Sequence, residues 1–163
     1  MKFKIFAQVI ILMVLWAGCT DPPRYQDEPR IEFVSITRTF IAAGDSVTIR
    51  FRFEDGDGDL GGNVSGSCGE CDSTCLLEQP WDIYLTDLRT DCGKLFNLPE
   101  FPDGGSTDDI SGEIVLTPFL FCRPLPVGLA YDTVELAIQI QDRSGKMSNV
   151  TFVTTPIVID CGL

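Results

Sequence analysis

The chain has no histidine among its 163 residues. That absence removes Ser-His-Asp and Cys-His nucleophilic catalysis, and with them every zinc site that uses an imidazole ligand. Basic residues are scarce too: 12 Lys and Arg stand against 24 Asp and Glu, a formal charge of −12. So acidic a balance argues against nucleic acid and against a polybasic grip on anionic lipid. It fits a soluble surface with some capacity for cations. Two carboxylates can still hydrolyse a glycoside, but that needs a deep cleft, and the chain is small for one. The expectation is a protein without catalysis. Also missing is an apolar run long enough to cross a bilayer. The run that begins at Ile5, broken only by Gln8, reaches about 14 residues by Gly18, short of the ~20 that a spanning helix needs.

The short run has another meaning in its context. Lys2 and Lys4 precede it, and Ala17-Gly18-Cys19 follow it. A cationic start, an apolar middle and small residues before a Cys make the lipoprotein form of a secretory signal. Trp16 stands three residues before the Cys, where such signals usually carry Leu. Residues 1–18 are therefore expected to be a signal peptide, and Cys19 the site of lipidation (palmitate or a similar acyl chain). Two acyl chains anchor stably where one would be marginal. The remaining 145 residues carry 10 basic and 24 acidic side chains, a net charge of −14. Within 19–30, Pro22, Pro23 and Pro29 and the lack of apolar periodicity describe a tether, able to span roughly 35 Å when extended. One domain of ordinary size follows, over 31–163.

Cysteine parity fits export. Setting Cys19 aside leaves Cys68, Cys71, Cys75, Cys92, Cys122 and Cys161, an even set that reads as three disulfides in an oxidising compartment. The spacing of Cys68, Cys71 and Cys75 also allows a zinc or iron–sulfur site, but the other three lack paired spacing.

From Ile31 onward the hydrophobic period is two. Val47, Ile49, Phe51 and Phe53 share one face of a strand over 46–54, and Val134, Leu136, Ile138 and Ile140 one face of another over 133–141. Such alternation predicts sheets with one buried and one wet face. Residues 31–40 change phase between Phe33 and Val34, which predicts a bulge or a strand that changes sheets. Residues 81–85 alternate with Trp81, Ile83 and Leu85 inward, and a short strand is predicted around 94–98. Pro118 and Pro156 make 114–121 and 150–159 edge or broken strands. No stretch of ten residues has helical periodicity. The fold class is all-β: an antiparallel β-sandwich of six or seven strands, stapled by disulfides. The long connection 60–80 holds three of the cysteines and suits a stapled binding loop. Phe96, Phe101, Phe119 and Phe121 are expected in the core.

The sharpest chemical feature is Asp55-Gly-Asp-Gly-Asp59. Alternating Asp with Gly lets the backbone turn tightly enough for Asp55, Asp57 and Asp59 to reach one hard cation. It is not an EF-hand loop: Leu60 stands at the sixth position and Gly66 at the twelfth. A solvated acidic turn, whose glycines only permit positive φ, is the competing account.

The stretch Phe51-Arg-Phe-Glu-Asp-Gly-Asp-Gly-Asp-Leu-Gly61, with Asp142-Arg-Ser-Gly-Lys-Met-Ser-Asn149, resembles bacterial immunoglobulin-like modules of the fibronectin-III or cadherin-like kind. Lys146 stands where those modules more often have Asn. The resemblance covers residues 31–160 and implies an immunoglobulin-like sandwich. It also implies that Asp142 leaves its strand at the same end as the acidic turn, making a four-carboxylate site for a divalent cation, Ca²⁺ above all. Pairing of these Asp with the nearby Arg143 and Lys146, in place of a cation, is the competing explanation. The same topology implies a Cys92–Cys161 bridge, with Cys122 bonded into the loop cluster. The whole chain resembles surface lipoproteins of Gram-negative bacteria, for whose export signal Gln26-Asp27-Glu28 is a loose match. Asp45-Ser46-Val47, Asp72-Ser73-Thr74 and Asp132-Thr133-Val134 match their O-glycan pattern, although Ser46 and Thr133 also suit strand starts. The expected role is an outer-membrane, outward-facing accessory subunit that binds a protein partner. A glycan-binding surface module feeding an importer is the alternative.

Overall fold

A computed structural model describes residues 24–63, 80–100 and 109–162. Residues 1–18, Cys19, Cys68, Cys71, Cys75 and Phe101 lie outside the described residues. The described residues form ten strands: β1 (Arg30–Ile36), β2 (Phe40–Ala42), β3 (Ile49–Asp55), β4 (Ile83–Asp87), β5 (Cys92–Phe96), β6 (Ile110–Leu116), β7 (Tyr131–Val134), β8 (Leu136–Ile140), β9 (Thr151–Phe152) and β10 (Ile157–Asp160). Among the described residues there is no helix, and none long and apolar enough to cross a membrane. The chain is an all-β sandwich.

One layer has the order β1-β3-β6, antiparallel throughout. The other is built on the chain segment 131–140, which pairs with segment 151–160 twice: β7 with β10, and β8 with β9. Glu135 interrupts the first segment and residues 153–156, with Pro156, interrupt the second. β4 and β5 extend the layer on one side as β5-β4-β8-β9, and β2 closes the other as β2-β10-β7. Joining β7 to β8 and β9 to β10, and counting β1 and β2 as one strand that changes layer, reduces ten short strands to seven, within the six or seven expected.

The phase change after Phe33 has its predicted cause. The β1–β3 register slips between Phe33 and Ser35, leaving Val34 as the extra, exposed residue of a bulge. The strand then leaves its first partner, and β2 pairs parallel with β10 on the opposite layer. One apolar cluster lies between the layers. Ile31, Ile49, Phe51, Phe53 and Ile114 come from one side, and Ile83, Leu85, Val134, Leu136, Ile138, Ile140, Ile157 and Ile159 from the other. Trp81 is buried as expected. Removing the fully buried Phe51 ring would cost about 3–5 kcal/mol, the loss of its transfer energy plus the cavity it leaves.

Two expectations need correction. Cys122 pairs with Cys161, not with the loop cluster. The chain crosses from β6 to β7 over the same end at which β10 finishes, with Cys161 N–H bonded to Ala130 O, so the two cysteines are neighbours. The expected Cys92–Cys161 bridge is therefore not formed, although Cys92 is itself disulfide-bonded. Second, Phe119 and Phe121 are not core residues; they are 60% and 58% exposed. Beyond Leu116 and Pro118 the strand has ended, and only the intervening Leu120 turns inward. Phe96 does pack against the core.

Candidate metal centre

Period-two geometry drives two aspartates inside. Ile49, Phe51 and Phe53 form the inward row of β3, and the next member of that row is Asp55, 0% exposed. Leu136, Ile138 and Ile140 form the inward row of β8, and its continuation is Asp142, 1% exposed. The rows belong to opposite layers. They converge because the chain after Asp59 folds back, with Leu60 pairing antiparallel to Asp142 across the end of the sandwich. Gly58 permits that reversal by adopting a positive φ of 68°.

The structure thereby brings Asp55, Asp57, Asp59 and Asp142 together: one carboxylate oxygen from each lies within 4.8 Å of all the others. Asp142 is oriented by its own turn. Its Oδ1 accepts the Lys146 N–H at 2.8 Å and the Ser144 hydroxyl at 2.9 Å, while Oδ2 has no hydrogen-bond partner among the described residues. Both oxygens of Asp55, and Oδ1 of Asp57 and of Asp59, are likewise buried without a hydrogen bond.

Burial and crowding act on these carboxyls in different directions. Burial, then the charges of Asp57, Asp59 and Asp142, push the Asp55 carboxyl up to about 7; the Leu60 N–H opposes this without reaching hydrogen-bond geometry. Asp59 is also raised, by burial and by its Asp142 and Asp57 neighbours. Asp57 goes the other way. Burial would raise it, but a hydrogen-bonded ion pair with the Lys146 ammonium outweighs burial and holds it below the usual carboxylate range. Of the two basic residues expected to compete, only Lys146 reaches a carboxylate of the cluster. Arg143 donates to the Asp59 carbonyl at 3.1 Å and pairs with Glu100 at 2.9 Å.

The other buried aspartates show what a structural carboxylate looks like in this fold. Asp82 accepts the Leu98 N–H at 2.7 Å and the Asn63 N–H at 3.1 Å. Burial still raises its pKa, against those donors. Asp132 is paired with Arg89 at 2.6 Å and Arg123 at 3.3 Å; Arg89 also grips Asp87 and the Phe121 carbonyl. Neither anchor stood out in the sequence, beyond the place of Asp132 in a candidate glycosylation triplet. In the structure that Asp is an ion-pair anchor, and Thr133 is exposed.

Asp55, by contrast, is buried beside three other carboxylates, with no hydrogen-bond donor among the described residues. A group of four such Asp can bind a metal ion. The donor set is oxygen only, without imidazole or thiolate, which suits a hard cation. No protein-family profile matches the chain, and no curated protein is significantly similar to it.

Proposed function

We propose that the protein is an exported, lipid-anchored surface module that binds a partner without catalysis, and that Ca²⁺ orders one end of its sandwich. The observation that carries the cation reading is the orphaned Asp55 carboxylate, fully buried at the centre of a four-carboxylate group. A buried anion without a donor or a cation costs several kcal/mol. A divalent cation removes that cost for Asp55 and draws on the unpartnered oxygens of Asp57, Asp59 and Asp142 as well. Calcium fits better than magnesium because it accepts 6–8 oxygens in flexible geometry, whereas magnesium demands near-ideal octahedra and retains its water. Backbone carbonyls and water would complete the shell.

The immunoglobulin-like reading is supported by the order β1-β3-β6 in one layer and by the switch of β2 onto β10 in the other. Lipidation at Cys19 and an outer-membrane address rest on the N-terminal sequence alone. A protein partner is favoured over a glycan by the exposed side chains at the end of the sandwich far from the acidic turn: Phe40, Phe119, Phe121, Val127, Leu129 and Tyr131. Most are purely apolar, and the Phe40 and Tyr131 rings are inclined at 53°, not coplanar as a sugar platform would be.

Thermal melting with calcium and with chelator tests the cation. Saturation at ~100 times the dissociation constant adds roughly 2.7 kcal/mol, a rise of several degrees for a domain of this size. Asp57→Ala should abolish it. A wild-type melting temperature that ignores chelation would leave the acidic turn as only a turn.

A further inference from the structure

Lys146 occupies an unusual position. Its ammonium pairs with Asp57 Oδ2 and lies 3.4 Å from the backbone carbonyl oxygen of Asp27. One positive nitrogen is thus shared by a carboxylate of the acidic cluster and a carbonyl of the segment that leads to Cys19. These are the oxygen types that a calcium ion collects. Asp27 does not pass by accident: the neighbouring Gln26 carbonyl accepts the Gly56 N–H at 2.8 Å, and Tyr25 donates its N–H to Asp109. A Cβ at Gly56 would stand 2.7 Å from the Gln26 carbonyl, so the N-terminal segment closes on the acidic turn at a distance only glycine allows.

We propose that Lys146 is a built-in competitor for the cation site: its ammonium holds Asp57 when calcium is absent and is displaced when calcium binds. The proposal rests on the calcium reading above and adds its regulation. The electrostatic reason is simple. Among the described residues the other three carboxylates have no cationic partner, so the ammonium offsets one charge of four. A divalent ion entering the group must break the Lys146–Asp57 pair, and a retained ammonium would repel it at close range. Affinity is therefore set below what four carboxylates would otherwise give. Such tuning suits a site that answers to external calcium and is not permanently loaded.

The test is calcium titration of the full-length lipidated protein in detergent, for wild type, Lys146→Met and Lys146→Arg. Lys146→Met should bind about tenfold more tightly, the scale expected when one partly exposed competing pair and its repulsion are removed. Its chelated form should melt below wild type, because the cluster has lost its one cation. Lys146→Arg, which keeps the charge, should stay close to wild type. If the Met variant does not fold in chelator, Lys146→Gln read in the same titration decides. A second readout uses no variant: amine acylation followed by mass spectrometry should find Lys146 more reactive in saturating calcium than in chelator, with Lys94 unchanged. A lysine that merely props the turn predicts the reverse: unchanged or weaker affinity in the Met variant, and no gain in reactivity. Either result overturns the proposal. Calcium binding by wild type with no tightening in the variant sinks this inference and leaves the calcium reading intact; no binding by any of the proteins sinks both.

Discussion

At the scale of single residues, the protein separates two uses of a buried aspartate. Asp82 and Asp132 are compensated by donors, so their burial helps fix the chain path. Asp55 is not compensated, and its cost shows in its pKa of about 7. The consequence for stability has a definite sign. An unfolded Asp titrates near 3.8. Between that value and about 7 the folded protein holds a proton that the unfolded chain has released. In chelator this contribution is therefore largest on the acid side, falls as the pH climbs through that window, and levels off above it. If Asp55 carried the whole effect, the loss would be on the order of 4 kcal/mol; Asp59, raised as well, shares it. Asp55→Asn keeps the shape, removes the charge and supplies an amide that can donate to the surrounding carboxylates. In chelator at pH 8 it should melt above wild type, and the difference should shrink as the pH is lowered towards 4. Its calcium response should be lost. A variant that melts below wild type under those conditions would show that the carboxylate is compensated after all.

At the scale of elements, the alternation of Val47, Ile49, Phe51 and Phe53 announced both the strand and its burial, because a sheet buried on one face leaves no other solution. The same row reaches Asp55, so the position of the central carboxylate was legible as well. Asp142 was legible only through an assumed topology. The exposed ends were not legible. Whether Phe119 and Phe121 pack inward depends on how the chain leaves β6 after Pro118, which no periodicity records. The Cys122–Cys161 bridge depends on where β10 ends relative to the β6–β7 crossing, a contact across 39 residues that spacing does not encode. The parallel β2–β10 pairing is hidden for a similar reason: its partners are more than a hundred residues apart. Nor did the sequence reveal that residues 25–27 close over the acidic turn. Gly56 is the residue that permits this contact, and it can be tested there. Gly56→Ala would force a Cβ against the Gln26 backbone, costing about 1–3 kcal/mol as overpacking does elsewhere. The segment should detach before the sandwich fails. Trypsin should then cleave after Arg24 faster than in wild type, while the β-sheet signal in circular dichroism persists. Equal cleavage rates would mean that the contact with the turn does not hold the segment.

At the scale of the whole molecule, strand directions divide the sandwich into two unlike ends. The N-terminal segment enters β1 beside the acidic turn: Arg30 pairs with Glu54, and Ile110 opens β6 opposite Asp55. The opposite end carries the β4–β5 turn, the Cys122–Cys161 bridge and the exposed Phe40, Phe119, Phe121, Leu129 and Tyr131. If Cys19 is acylated, the cation end faces the membrane and the apolar end points away from it. Salt-screened acidic surface next to an anionic leaflet gains nothing from charge attraction, so the partner should be met at the far end, where apolar area is available to be covered. The chain is well suited to a directional test, because beyond residue 18 it has only two lysines, Lys94 and Lys146. Lys94 lies near Phe121, with its ammonium 5.8 Å from the ring centre; Lys146 lies at the cation end. Amine-reactive cross-linking on intact cells should therefore join a protein partner through Lys94 and not through Lys146. Cys19→Ser should release the protein from the membrane fraction, or leave its precursor uncleaved, and should abolish those cross-links. Partner cross-links confined to Lys146 would place the binding surface at the cation end, and cross-links that survive Cys19→Ser would show that the membrane anchor has no part in recognition.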